Sequence, residues 1–219
     1  MRFRDRQEAG QLLAQALSFL KGRKDVIVLG IPRGGVVVAA EVARGIGAPL
    51  DVYITRKIGA PYNPELAIGA IASSGDVVLD ESLIEGLGVS PEYVHDETER
   101  QWQEIERRLK KYRGNRPSQK LKGKTVVLVD DGIATGATTL AAIRALKTQK
   151  PAELVLAVPV GPPDAIARLR EEVDKLVCLD TPPLFWAVGA FYISFDQTSD
   201  REVVRLLEES QNRTKGRIG

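Results

Sequence analysis

Apolar positions fall along this chain in short blocks divided by glycine turns and charged stretches. Asp5 is placed to cap a first helix, in which Leu12, Leu13, Ala16, Leu17 and Leu20 repeat at helical spacing before Lys21 to Asp25 break the pattern. Val26 to Leu29 is an unbroken apolar run, as a buried strand requires. It leads into Gly30-Ile31-Pro32-Arg33-Gly34-Gly35, a second helix from about Val36 to Arg44, and a further strand from Leu50 to Thr55. Strand, glycine turn, helix and strand make a βαβ unit, which implies a parallel sheet.

The middle of the chain departs from this rhythm. Ala67 to Ala72 and Val77 to Leu79 are apolar runs split by Ser73-Ser74-Gly75-Asp76, which predicts a β-hairpin inserted into the α/β pattern. Ser90 suits a helix cap and Pro91 the first helical position. The helix they open reaches about Tyr112, with Val94, Thr98, Trp102, Ile105, Leu109 and Tyr112 as one narrow apolar stripe on an otherwise charged surface. The α/β rhythm then returns. Lys124 to Val129 is a strand, Ala137 to Lys147 a helix, Glu153 to Val158 a strand, Pro163 to Val173 a helix and Leu176 to Leu179 a strand. Phe185, Trp186, Phe191, Tyr192 and Phe195 follow as an aromatic group, then a last helix over Thr198 to Leu207. The expectation is one domain over 1–209, a hood inserted at about 66–113, and a flexible polar tail over 210–219.

Composition narrows the function classes. With 31 basic and 29 acidic residues among 219, the formal charge is only +2, which argues against nucleic-acid binding by bulk charge. No DNA partner is expected. One cysteine, Cys178, cannot form an internal disulfide, and the only histidine, His95, leaves no Cys/His set for zinc. The first residues turn polar at once, and no run approaches the roughly 18 apolar residues that span a bilayer. A cytoplasmic protein without membrane contact is the expectation.

The chemistry concentrates in Val126-Val127-Leu128-Val129-Asp130-Asp131-Gly132-Ile133-Ala134-Thr135-Gly136-Ala137-Thr138-Thr139. The strand delivers two carboxylates to the carboxyl edge of a parallel sheet, where α/β proteins bind ligands. Gly132 and Gly136 let the backbone approach a ligand, and the helix that begins next offers free N–H groups and a dipole suited to phosphate. Acids beside a phosphate cradle make sense if the ligand also carries a diol or a metal, since carboxylates accept from vicinal hydroxyls or hold Mg²⁺. The segment lacks the Gly-Lys-Ser/Thr ending of a Walker A loop and is no dinucleotide fingerprint.

This segment resembles the signature for 5-phosphoribosyl-1-pyrophosphate (PRPP) of the type I phosphoribosyltransferases, and within them the broad group of uncharacterised members. The resemblance extends through the order of elements from about Val26 to Phe195. It implies a doubly wound parallel α/β sheet with a small hood. It implies that Asp130 and Asp131 contact the ribose diol and a magnesium ion. Ala134, Thr135, Gly136, Ala137 and Thr138 would bind the 5′-phosphate, and Arg33 and Gly34 would belong to a pyrophosphate loop whose backbone is often strained or cis. Lys57 or Arg56 would reach pyrophosphate, and Ile58 to Leu66, with Glu65, would form a mobile closing loop. The aromatics from Phe185 to Phe195 fit either a hood that stacks the acceptor or core packing. Ala134 stands where the 6-oxopurine enzymes have an aspartate, which speaks against hypoxanthine or guanine. His95 reads as a surface residue and Cys178 as core.

The expected activity is Mg²⁺-dependent phosphoribosyl transfer to a nitrogen acceptor, a nucleobase, with Asp131, Arg33 and Lys57 in the catalytic set and a homodimer as the common assembly. The alternative from another class is a regulator that senses PRPP or a nucleotide without turnover. A sugar-phosphate hydrolase using the same cradle is a third.

Overall fold

The computed structural model describes residues 1–215. Helix α1 (Arg6–Ala16) is capped by Asp5, whose side chain accepts from the Glu8 N–H, and a short 3₁₀ turn follows at Ser18–Leu20. Strand β1 (Val26–Gly30), helix α2 (Gly34–Ile46) and strand β2 (Leu50–Val52) form the expected βαβ unit. The chain then leaves the main sheet for β3 (Thr55–Ala60), β4 (Asn63–Ala72) and β5 (Val77–Leu79), followed by α3 (Glu81–Gly86) and α4 (Pro91–Arg113). It returns through β6 (Thr125–Val129), α5 (Ala137–Thr148), β7 (Glu153–Val160), α6 (Pro163–Arg170), β8 (Lys175–Asp180) and α7 (Asp200–Lys215).

The main sheet has the order β2-β1-β6-β7-β8, with every pairing parallel. Numbered by their sequence within this sheet, the strands run 2-1-3-4-5, so the winding reverses between β1 and β6. Alternation along each strand feeds two cores. Val26, Val28, Val127 and Val129 face α1, α2 and α7, while Ile27, Leu29, Val126 and Leu128 face α5 and α6. Both faces are covered, which is why these strands read as continuous apolar runs. No helix among the described residues is long and apolar enough to cross a membrane.

The structure corrects several boundaries. The run from Leu50 to Thr55 is two strands in two sheets. Tyr53 still donates to Gly30 O at 3.0 Å, but Ile54 turns away and donates to Ser73 Oγ at 3.1 Å. Residues 58–66, expected as a loop, form the turn end of the β3–β4 hairpin, because Ile58, Ala60 and Ile68 bury themselves against Val89 in a satellite core. The excursion from the sheet therefore starts at Thr55 rather than near residue 66. Helix α3 was not anticipated. The tail expected to be flexible from Ser210 is helical as far as Lys215, with Ser210 buried, while 216–219 lie outside the described residues.

Candidate functional site

The ends of β1 and β6 lie side by side, and the crevice between them opens at the point where the sheet reverses its winding. Strand β6 delivers Asp130 and Asp131 there. The loop after β1 crosses in front of them, with a cis peptide between Pro32 and Arg33, and enters α2 at Gly34. The approach is close enough to forbid a side chain. A Cβ on Gly34 would lie 1.9 Å from Asp131 Oδ2, and one on Gly35 would lie 2.8 Å from Asp130 Oδ1. The acid pair and the glycine pair, about a hundred residues apart in sequence, thus pack as one unit.

The two carboxylates have different environments. Asp130 Oδ1 accepts from the Asp131 N–H at 2.8 Å. Burial, and next the charge of Asp131, hold the Asp130 carboxyl well above the usual carboxylate range. Asp131 is ion-paired. The Arg6 guanidinium places Nε 2.7 Å from Asp131 Oδ2, with side chains only 12% and 17% exposed. Arg6 also donates to Asp196 O at 2.7 Å and lies 3.8 Å from the centre of the Phe195 ring. Tyr192 donates its hydroxyl to Asp131 O at 2.6 Å, and burial, with the Asp131 charge second, raises its phenol far above normal.

Nothing local in the sequence marked Arg6. It reaches the site because residues 3 and 4 run beside the aromatic segment. Phe3 N donates to Phe191 O, while Ile193 and Ser194 donate to Phe3 O and Arg4 O, each at 2.8 Å. Phe3, Tyr192 and Phe195 form a tilted aromatic row under this contact. The aromatic group therefore divides. Phe3 and Tyr192 are core, Phe185 stacks on Phe191, and Trp186 stands 88% exposed.

Beyond Asp131, Ile133 is anchored by its N–H to Val160 O at 2.8 Å, and the chain then rises into an exposed turn over Ala134 and Thr135. Gly136, with φ +80° and ψ 0°, takes the left-handed conformation from which α5 starts. Ala137 and Thr138 are exposed in its first turn, where N–H groups lack intrahelical acceptors. Two contacts brace this turn from outside. Arg168 of α6 donates to Thr135 O at 2.9 Å, and Thr55 of β3 reaches Thr138 O at 3.5 Å. Arg168 is a second residue that sequence reasoning missed, a cation placed beside a potential phosphate cradle.

The two basic candidates on β3 point to opposite faces. Arg56 donates to Gln101 of α4 at 2.8 Å, away from the turn. Lys57 shares the face of Thr55, toward α5, and pairs with the exposed Glu65 across the hairpin at 2.8 Å. Arg33 contributes its backbone to the loop beside the acids, but its side chain lines a separate cavity with residues of α4 and α7. His95 is exposed, and Cys178 is partly buried against the α5–α6 core. Asp130 and Asp131 offer only oxygen donors, and the described residues contain no cluster of three or more His, Cys, Asp or Glu that could cage a metal.

Comparison with known proteins agrees with this geometry. The family model of the phosphoribosyl transferase domain matches residues 5–196. In each of two Mycobacterium tuberculosis strains, a protein provisionally named a phosphoribosyl transferase is 47% identical over 208 residues, which is 95% of this chain and 47% of its own length. The chain thus spans about half the length of the curated relatives it matches. Among solved structures, TT1426 from Thermus thermophilus shares 46% identity with a TM-score of 0.86, over 95% of this chain and 99% of that one.

Proposed function

The chain belongs to the phosphoribosyl transferase family, and from that premise we propose that it binds PRPP with Mg²⁺ and transfers the phosphoribosyl group to a nitrogen acceptor, a nucleobase. One observation carries the reading. An acid pair at the winding reversal lies between the glycine entry of α2 and the exposed N-terminal turn of α5. Vicinal ribose hydroxyls suit the acids, a 5′-phosphate suits residues 134–138, and a pyrophosphate suits the loop from Arg33 to Gly35.

In the reaction the bond from C1′ to pyrophosphate oxygen breaks, and its electron pair leaves with the pyrophosphate. The acceptor nitrogen supplies the pair for the new C1′–N bond and gives up its proton to water, so the products are the nucleotide, pyrophosphate and a solvent proton. Asp130 and Asp131 hold the ribose and do not attack it. The N–H groups at the start of α2 and the Lys57 cation stabilise the departing anion, and Arg33 joins them by swinging its side chain out of the cavity it lines with α4 and α7. Lys57 must exchange Glu65 for ligand to do so.

Magnesium fits the donor set, because it is held through one or two carboxylates plus substrate oxygens and water rather than by a protein cage. Asp130 and Asp131 would hold it, and it would supply charge neutralisation for the pyrophosphate. The test is pyrophosphate release from PRPP across a nucleobase panel with and without Mg²⁺, with calorimetry on wild type and Asp131→Asn. Release with one base, together with a roughly 10- to 100-fold affinity loss in the variant, supports the proposal. Tight PRPP binding with no release for any base replaces it with the sensing reading, and unchanged affinity in Asp131→Asn removes the diol assignment.

A further inference from the structure

Beside the Arg33 loop lies a cavity of about 420 Å³, lined by Pro32, Arg33, Arg107, Arg108, Lys111, Tyr112 and Asp200. It shares only Pro32 and Arg33 with the site described above, and no residue from Asp130 to Thr138 lines it. Four of its side chains are cationic and one is a carboxylate. Glu104, just outside, pairs with Arg107 and Arg108 at 2.8 and 2.7 Å. Counting both acids, the cluster keeps two positive charges in excess.

The cations are held in place rather than left to wave in solvent. Asp200, the first residue of α7, accepts from Lys111 Nζ at 2.5 Å and from the Tyr112 hydroxyl at 2.7 Å. Glu104 fixes Arg107 through both of its oxygens, at 2.8 and 2.9 Å. Arg33 stands across from them. Among the described residues its side chain makes no hydrogen bond or close ion pair, although its charge acts on Asp200 and Tyr112. A guanidinium fork facing three further cations wants a partner with several anionic oxygens. Arg107 and Lys111 are one helical turn apart, about 6 Å along the axis, so a chain of phosphoryl groups can give each a separate phosphoryl and leave others for Arg108 and Arg33, where a single phosphate must share its few oxygens among all four. Apolar ligands gain little against such walls.

We propose that this cavity is a second anion site that takes a linear inorganic polyphosphate, with Arg107, Arg108 and Lys111 of α4 on one wall and Arg33 on the other. Binding here requires nothing of the PRPP assignment. Its consequence does rest on that reading, because a polyphosphate holding Arg33 withdraws that cation from the pyrophosphate loop and makes the site regulatory.

The test uses sodium tripolyphosphate and ribose 5-phosphate as separate probes in calorimetry on the whole chain, without Mg²⁺. Wild type should bind tripolyphosphate more tightly than inorganic phosphate, and with ribose 5-phosphate already bound. The double variant Arg107→Gln/Lys111→Gln changes exposed side chains and should weaken tripolyphosphate at least about tenfold. Its ribose 5-phosphate affinity should stay within about twofold. A charge-matched control, Arg144→Gln/Lys147→Gln, removes two exposed cations that pair with Glu172 on a different surface and should change neither. Displacement of tripolyphosphate by ribose 5-phosphate, or equal losses in the two double variants, overturns the proposal. Ribose 5-phosphate failing to bind wild type while tripolyphosphate binds would instead sink the ribose-phosphate assignment and leave this one standing.

Discussion

Replacing Arg6 by alanine tests whether the N-terminal helix is part of the site or merely near it. The substitution removes three contacts together: the ion pair to Asp131 at 2.7 Å, the bond to Asp196 O at 2.7 Å, and the stacking on Phe195 at 3.8 Å. Exposed ion pairs contribute only about 0–1 kcal/mol, whereas stripping one partner from a buried pair costs about 3–5 kcal/mol. At 12% and 17% side-chain exposure this pair lies toward the buried end. Asp131 borders an open crevice, however, and water entering after truncation recovers part of its solvation. A net destabilisation of about 2–3 kcal/mol is expected. With a urea dependence of about 2–3 kcal/mol per molar, the unfolding midpoint should fall by roughly 1 M. Trp102 and Trp186 provide the fluorescence signal. Asp131→Asn closes a double-mutant cycle, in which the coupling to Arg6 should be about 1.5–3 kcal/mol. Arg6→Lys should recover only part of the loss, since an ammonium cannot serve Asp131, Asp196 O and the Phe195 face with one planar fork. A midpoint shift worth less than about 0.5 kcal/mol, or no coupling to Asp131, would refute the reasoning and make the contact incidental.

Gly34→Ala should lower ribose 5-phosphate affinity more than tenfold and stability by about 1–3 kcal/mol, because its Cβ would sit 1.9 Å from Asp131 Oδ2; calorimetry showing wild-type affinity contradicts the packing. Asp130 should make apo stability fall with rising pH. Its folded carboxyl keeps a proton above the ordinary value of 3.8, so the folded state binds more protons, and its contribution is complete below that value and lost as pH climbs through the raised one. Asp130→Asn removes this fall, so in Mg²⁺-free buffer the variant should gain on wild type at up to about 1.4 kcal/mol per pH unit, and a constant difference from acid to neutral pH rejects the assignment. Cys178, pushed up to about 11 by burial, should react with iodoacetamide at pH 8 more than about 100-fold slower than a free thiol, with the rate rising with pH; reaction at the free-thiol rate would show it is neither buried nor perturbed.

The parts of the fold that were legible in the sequence are those where one local pattern determines one outcome. Strands β1, β6 and β7 are covered on both faces and therefore read as apolar runs. The acids and glycines of 130–136 are consecutive, so their joint meaning survives without tertiary information. What escaped depends on long-range partners. Leu50 to Thr55 is one apolar run, yet only the competing pull of Gly30 O on Tyr53 and of Ser73 Oγ on Ile54 shows that it divides between sheets. Gly59, Pro61 and Pro64 read as a loop, because the satellite core that makes residues 58–66 a hairpin is completed by Val89 and by side chains of α3 and α4. The apolar stripe of α7 ran out in sequence before the helix did. Val203, Leu206 and Leu207 are buried and Ser210 continues the same face, but a serine there carries no hydrophobic signal. Arg6 lies 125 residues from Asp131, and no spacing rule could connect them.

The winding reversal also bears on why the site carries this pattern of charge. Because β1 and β6 are neighbours whose connections leave toward opposite faces, α2 and α5 begin on opposite sides of one crevice, and both aim their N-termini at it. Each N-terminus carries a partial positive charge of about half a unit and unpaired N–H groups. Asp130 and Asp131 stand between the two, so the crevice runs positive, negative, positive. A plain phosphate would gain from either end and lose from the middle. A dinucleotide pyrophosphate would bring its charge to the centre, where the acids oppose it. A ligand with anionic groups at both ends and hydroxyl donors between would match that order, and the proposed ligand PRPP has it in its 5′-phosphate, ribose diol and 1-pyrophosphate. The close packing of Gly34 and Gly35 on the two carboxylates keeps the α2 N-terminus against the acids, since any side chain there would push the two apart and break the sequence of charges on which the PRPP proposal rests.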